Sequence, residues 1–328
     1  MTRFLLRRLL WFAITLWVVV TVSFFLMRAV RGGPFDGERA LHESIERNIQ
    51  ARYHLDWHPF KQYLHYVGPL NLDQHGPRFL GGDGTRPFGG VLAGDFGPSF
   101  KYRDFTVNDI IAQSLPISVG LGVIAMMWAL TLGLSVGMAS ALRRGTRADV
   151  AFRLLATTGI AVPNFVIAGC LVILFVFLVP LLPVAGYGSW RHLVLPGFAL
   201  GGPFAAYIAR LTRTGMLEVL SQDYIRTARA KGLPARLVLL RHALKGGVLP
   251  VVSYLGPATA GILTGSLVIE RIFAIPGTGS HFVNSALNRD YTLAMGVTIL
   301  YTVLVYALNA LVDFAYTLLD PRIELGES

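Results

Sequence analysis

Six stretches of this sequence stay apolar for about 20 residues or longer, the length a helix needs to cross the ~30 Å hydrocarbon core of a bilayer. They lie near residues 9–27, 116–141, 150–182, 193–217, 248–269 and 292–318. A single water-soluble core has no room for so many. In lipid, each backbone N–H and C=O must be satisfied internally, which makes the helix the spanning element for runs of this length. Composition agrees: 53% of the 328 residues are hydrophobic, 15% are charged, and the mean hydropathy is +0.54. The expected fold class is an all-α integral membrane protein with six transmembrane helices.

Basic residues set the orientation, because cytoplasmic loops retain Lys and Arg. Arg3, Arg7 and Arg8 precede the first run, which ends Phe-Phe-Leu-Met-Arg rather than in the small residues of a cleavage site. An uncleaved first helix within residues 1–30, with a cytoplasmic N-terminus, is expected. Residues 31–115 are polar, rich in Gly and Pro and nearly balanced in charge, so they read as an external segment. Within it, residues 38–66 have a helical pattern whose Trp57, Phe60, Tyr63, Leu64 and Tyr66 suit a membrane interface. Residues 94–102 combine turn formers with aromatics, and the stretch from Gly68 to Gly90 between them reads as a surface loop. The other five runs form a core over residues 116–318, followed by a cytoplasmic tail, 319–328. Arg143, Arg144, Arg147 and Arg153 mark a short cytoplasmic turn within that core. The formal charge of +10 follows from this ordering. The basic residues gather at the ends of apolar runs, with no aromatic and basic surface of the kind that binds nucleic acid.

Polar and small residues inside the runs are the candidates for packing or passage. Gly133 and Gly137 form a small-xxx-small pair that lets helices approach closely. Pro163 should kink the third span, and Asn164 beside it is either local hydrogen-bonding glue or a pathway residue. Gly197, Gly201, Gly202 and Pro203 suggest a flexible or broken fourth span, with Arg210 and Arg213 snorkelling from its cytoplasmic end. Ser253, Thr259 and Thr264 give the fifth span a hydroxyl-bearing face suited to close packing or to lining a wet passage. Glu270 and Arg271 read as interface charges at its external end, and Asp313 in the sixth span as the partner of a basic residue or the cap of a neighbour. Cys170, the single cysteine, reads as a small packing residue.

The connection between the fourth and fifth spans, residues 219–247, carries the strongest pattern. From Arg210 to Lys245 there are 8 Lys and Arg against 2 acids, which places it in the cytoplasm. Ala228, Arg229 and Ala230 favour helix, Gly232 can take the left-handed conformation that ends one, and Pro234 suits the first turn of another. Leu237, Leu240 and Leu244 then recur at helical spacing among Arg236, Arg241 and Lys245, so one face can enter an apolar groove on a partner. The plain alternative is a basic loop that only obeys the orientation rule and touches lipid phosphates.

This segment resembles the EAA loop of ABC importer permeases: Glu-Ala-Ala, three residues, Gly, then a second helix. Arg226-Thr227-Ala228 stand at the Glu-Ala-Ala positions, so the usual acid is absent. The run RTARAKG followed by LLRHAL is similar to the form taken in oligopeptide and dipeptide permeases. PFDGERALHESIERNIQARYHL and GDFGPSFKYRDFTVNDIIAQSLPIS resemble the external segment of the first permease subunit of oligopeptide importers, with the Gly68 to Gly90 stretch as an addition. The segment holding Ile275-Pro276-Gly277-Thr278-Gly279-Ser280 and Asn288-Arg289-Asp290-Tyr291, and the tail Asp320-Pro321-Arg322-Ile323, are also similar to that family.

The resemblance implies a type I ABC importer permease in a bacterial inner membrane, with both termini cytoplasmic. Its partners would be a second homologous permease, two cytoplasmic ATPase subunits and an external peptide-binding protein, with peptide as the cargo. ATP and Mg²⁺ would sit on the ATPases, and no cofactor or metal is expected in this chain. Arg226, Thr227, Ala228, Arg229, Gly232, Leu233, Leu237 and Leu240 would couple it to them, while Asn164, Ser253, Thr259 and Thr264 are candidates for lining the pathway. Dipeptides, nickel complexes and glutathione are alternative cargoes within the same class.

Other classes fit less well. There is no metal-ligand spacing and no nucleophile with a base, and Ile275 to Ser280 lacks the Gly-Lys-Ser/Thr ending of a phosphate loop. A gradient-driven transporter would be expected to carry a mid-membrane acid or internal repeats. A membrane scaffold that holds a soluble partner on the basic hairpin is the remaining alternative.

Overall fold

A computed structural model describes residues 2–29, 54–68, 90–102 and 104–319. The described chain is helical, and its one strand-like pairing is an isolated bridge between Pro98 and Thr106. The helices are α1 (Thr2–Ala29), α2 (Pro59–Val67), α3 (Val107–Leu142), α4 (Arg147–Ala161), α5 (Asn164–Val172), α6 (Arg191–Leu220), α7 (Asp223–Ala230), α8 (Ala235–Leu237), α9 (Leu244–Gly247), α10 (Leu249–Ile272), α11 (Thr278–Leu287) and α12 (Tyr291–Leu319). Wider π turns extend α5 through Ile173–Leu178 and join α8 to α9 through Val238–Ala243. Five helices are long and apolar enough to cross a membrane, and the bent pair α4 and α5 makes a sixth span if counted as one. The chain is thus a multi-pass membrane protein. Of the expected helical pattern over 38–66, residues 38–53 lie outside the described residues, as do most of the Gly68 to Gly90 loop and the tail from 320.

The chain divides into two compact units, Met1–Pro116 with Ser280–Tyr306, and Ile117–Gly279 with Ala307–Ser328. In the first, the end of α1 holds α2 through Phe24, Tyr63 and Tyr66, all buried. Thr21 and Tyr63 share a hydroxyl hydrogen bond of 2.7 Å, and Arg28 Nε donates to Gln62 Oε1 at 2.8 Å. The turn at 98–102 is fixed by Asp290, whose buried carboxylate accepts from the Ser99 hydroxyl and from the N–H groups of Phe100, Lys101 and Leu293. Several donors on one acid remove the desolvation penalty that an unpaired buried carboxylate would carry.

In the second unit α6 is the hub, packed on α4, α5, α9 and α10. It also meets α3 at small residues: a Cβ on Gly137 would stand 2.6 Å from the Ala209 carbonyl oxygen, and one on Gly133 2.8 Å from that of Ala205. The pair predicted for close approach therefore packs on α6.

Several expectations are corrected here. The third span is not a single kinked helix: α4 and α5 meet at 106°. Val162, preceding Pro163, is pushed into an extended conformation (φ −83°, ψ 124°), and α5 starts afresh after the proline. The fourth span is not broken. α6 runs unbroken through Pro196 and Pro203, and its glycines serve as contact points, Gly201 lying against the carbonyl of Ala125 in α3. The second span begins at Val107 rather than 116, with Pro116 inside it. Arg213 does not snorkel: its Nε and Nη2 donate to the two oxygens of Asp149 at 2.9 and 3.0 Å. Asp149 is buried and also accepts from Ser140 and the Gly145 N–H. Nor is Glu270 an interface charge: it is fully buried and accepts from Ser118 at 2.8 Å, while Ser118 accepts from the N–H and hydroxyl of Thr278. Cys170 is exposed rather than packed.

Replacing Asp290 with alanine removes the carboxylate that the Ser99 hydroxyl and the Phe100 and Lys101 N–H groups share, at a cost of about 1–3 kcal/mol. The expected outcome is a lower thermal unfolding temperature, with faster proteolysis within residues 98–106 than elsewhere in the chain.

Candidate functional site

The basic hairpin is two short helices set on the end of α6. α7 has a strongly two-sided sequence: Ile225 and Ala228 turn inward, while Tyr224, Arg226, Thr227 and Arg229 face out. Ile225, Ala228, Val238 and Ala243 join Ala141 and Met216 in one apolar cluster, with Leu233 and Leu244 packed around it. Hydrophobic burial thus fixes the hairpin from below and leaves its outer surface uncommitted.

Backbone geometry shapes the corner. The Gly232 N–H donates to Arg229 at 2.9 Å and Leu233 N–H to Ala228 at 3.4 Å, closing the C-terminal end of α7. Gly232 sits at φ +77°, and a Cβ there would meet nothing within 4 Å. Glycine is required at this position by backbone conformation and not by crowding. Pro234 stands at the N-cap of α8, as its fixed φ allows. The π turn then places Val238 and Ala243 inward and leaves Leu237 and Leu240 37% and 48% exposed.

Two further glycines clamp the hairpin to α6, and the sequence reading missed both. A Cβ on Gly215 would run into the Gly247 carbonyl, and one on Gly247 would lie 3.2 Å from the Met216 Cα. Backbones in such contact cannot slide by small repacking, so a displacement of the hairpin is passed to α6. The signal available in sequence was Gly246-Gly247 followed by Pro250, easily taken for a helix end.

The candidate coupling residues therefore divide by position. Arg226, Thr227, Arg229, Gly232, Leu237 and Leu240 are exposed, Ala228 is buried beneath them, and Leu233 is half-buried. The Arg226 to Asp223 pair at 3.3 Å joins two highly exposed side chains and adds little to stability.

The pathway candidates are not brought together with this surface. Asn164 is half-buried at the first turn of α5, just past the bend. On α10, Ser253 donates to the Leu249 carbonyl, Thr259 to Leu255 and Thr264 to Ala260, each one turn back. Their hydrogens are bound within the helix, so toward any neighbour these hydroxyls offer only acceptor lone pairs.

Position 232 allows a sharp comparison. Gly232→Val should forfeit the left-handed corner at a cost of about 1–2 kcal/mol, whereas Gly232→Asn, which tolerates that region, should keep most of that stability. The thermal midpoints of the two variants distinguish them. Gly247→Leu should overpack against Met216 and cost about 1–3 kcal/mol, read as a lower thermal midpoint.

The sequence matches the family described as binding-protein-dependent transport system inner membrane component over residues 129–325. It is 46% identical over 325 residues to the oligopeptide transport system permease protein OppB of Escherichia coli (strain K12), covering 98% of this chain and 99% of that protein. It is 42% identical over 325 residues to the dipeptide transport system permease protein DppB of Bacillus subtilis (strain 168), covering 99% of both. A solved structure described as an amino acid ABC transporter with histidines superposes with a TM-score of 0.47 at 16% identity, covering 63% of this chain and 92% of that one. With a family match over more than half of its length and relatives this similar from end to end, the chain belongs to the binding-protein-dependent transport system inner membrane components.

Proposed function

We propose that this protein is one of the two permease subunits of an ATP-driven oligopeptide importer in a bacterial inner membrane. The observation that carries the proposal is the hairpin: a basic surface with Leu237 and Leu240 exposed, clamped backbone to backbone onto the hub helix α6. Such a surface is suited to receive force, because its exposed face has no apolar cover among the described residues while its buried face is locked to α6. Full-length similarity to oligopeptide and dipeptide permeases supports the reading, and the higher identity to the former favours oligopeptides.

In this reading the hairpin lies in the cytoplasm, as do both termini, and each of two ATPase subunits holds ATP and Mg²⁺. Leu237 and Leu240 enter an apolar groove on an ATPase, and Arg226 and Arg229 contribute charge at its rim. ATP binding draws the hairpins together, α6 follows, and the pathway opens to peptide delivered by the external binding protein. Hydrolysis resets it. Asn164, Ser253, Thr259 and Thr264 are proposed to lie along the route, offering acceptor groups that suit peptide N–H donors.

The test is ATP hydrolysis by the complete complex in lipid, with binding protein and a panel of longer peptides, dipeptides and nickel added in turn. Stimulation by longer peptides is expected. Stimulation by dipeptide or nickel alone would keep the mechanism and reassign the cargo, while failure to recruit an ATPase would overturn the importer reading in favour of a scaffold. In the same assay Leu237→Asp with Leu240→Asp should abolish stimulation and weaken ATPase binding at least tenfold, each aspartate bringing a charge that has to be desolvated.

A further inference from the structure

Beside the Asp149 to Arg213 pair lies a cavity of about 340 Å³ with Arg153, Arg210 and Arg213 in its wall. A second chamber of about 310 Å³ shares Val136, Ala156 and Ala209 with it and continues into the angle between α4, α5 and α6. The second chamber is apolar, with Leu132, Leu155 and Phe198 among its walls. The two form one groove with a cationic head and a hydrocarbon body.

The cationic head carries three guanidiniums against one carboxylate, Asp149. Arg213 is bound to Asp149 through two of its nitrogens, which leaves Arg153 and Arg210 against no further acid. Arg153 is half exposed and 3.8 Å from Asp149, and the Arg210 guanidinium lies 4.7 Å from the Tyr207 ring. Among the described residues neither has a carboxylate within hydrogen-bonding distance. The neighbouring hydroxyls are already committed: Ser140 donates to Asp149, Thr157 to the Arg153 carbonyl and Thr214 to the Arg210 carbonyl. The donors that remain are two guanidiniums, a fork geometry matched to phosphate oxygens.

Depth agrees. Residues 192–209 of α6 separate Arg191 from Arg210. At 1.5 Å per residue they span about 27 Å, close to the ~30 Å of hydrocarbon. Arg210 therefore stands at the height of the lipid phosphates, with the apolar chamber on the hydrocarbon side of it.

We propose that this groove binds an anionic phospholipid, its phosphate between Arg153 and Arg210 and an acyl chain in the apolar chamber. A small anion would leave the chamber unused, and a neutral lipid would leave the second arginine unmatched.

The probe is phosphatidylglycerol against phosphatidylcholine of the same chain length, exchanged onto the assembled transporter and counted as retained lipid by native mass spectrometry. The double variant R153Q/R210Q should lose phosphatidylglycerol several-fold with phosphatidylcholine unchanged, and R153K/R210K should regain part of it. Leu155→Trp, which fills the chamber without touching charge, should also displace phosphatidylglycerol. Equal retention by the glutamine variant overturns the site. Loss with the arginine variants but not with Leu155→Trp reduces it to a simple anion site and overturns the lipid assignment. Unchanged retention with altered peptide-stimulated hydrolysis assigns the groove to the cargo route instead, and dissociation of the second permease assigns it to the subunit interface.

Discussion

Helix α6 touches its neighbours backbone to backbone, and most of the second unit depends on that contact. In a bilayer there is no hydrophobic gain in bringing two apolar helices together, so association rests on van der Waals fit and on how closely the chains approach. Gly133 and Gly137 on α3 meet α6, Gly201 on α6 meets α3, and Gly215 meets Gly247 at the hairpin. These positions place dispersion contacts along the length of one rod. A hairpin set on the end of that rod is mechanically part of it.

Charge within the helices obeys the same economy of space. Asp149, Glu270 and Asp290 are each buried, and each accepts from at least one donor distant in sequence. Asp149 ties the ends of α3 and α6 to the start of α4, Glu270 ties α10 to α3, and Asp290 ties the 98–102 turn to α12. Buried with their donors, they fix geometry where apolar contacts alone would leave several packings nearly equal in energy.

Much of this was legible in the sequence. Run length and the segregation of arginines indicated six spans, Gly133 and Gly137 marked a close contact, and Gly232 marked a left-handed corner whose φ is +77°. What escaped was decided by tertiary partners. Gly197, Gly201 and Gly202 carry the same letters whether a helix breaks or is pressed against another, and only the presence of α3 distinguishes the cases. Glu270 and Asp149 look like ordinary charges at span ends, because the Ser118 that donates to one and the Arg213 that pairs with the other lie 152 and 64 residues away. Pro163 announced a bend, but its size follows from Val162 turning extended, which the letters permit without requiring.

The bend also bears on how the chain enters the membrane. α4 has 15 residues and α5 has 9 before its π turn. At 1.5 Å per residue the longer of the two reaches only about 22 Å, short of the ~30 Å hydrocarbon core. Arg147, Asp149 and Arg153 add charge to the first of them. Neither half spans alone, and the helix that packs against both, α6, follows them in the chain. The segment is thus apolar enough to span only as a joined pair, and its bent form is held by a helix that comes later in the chain.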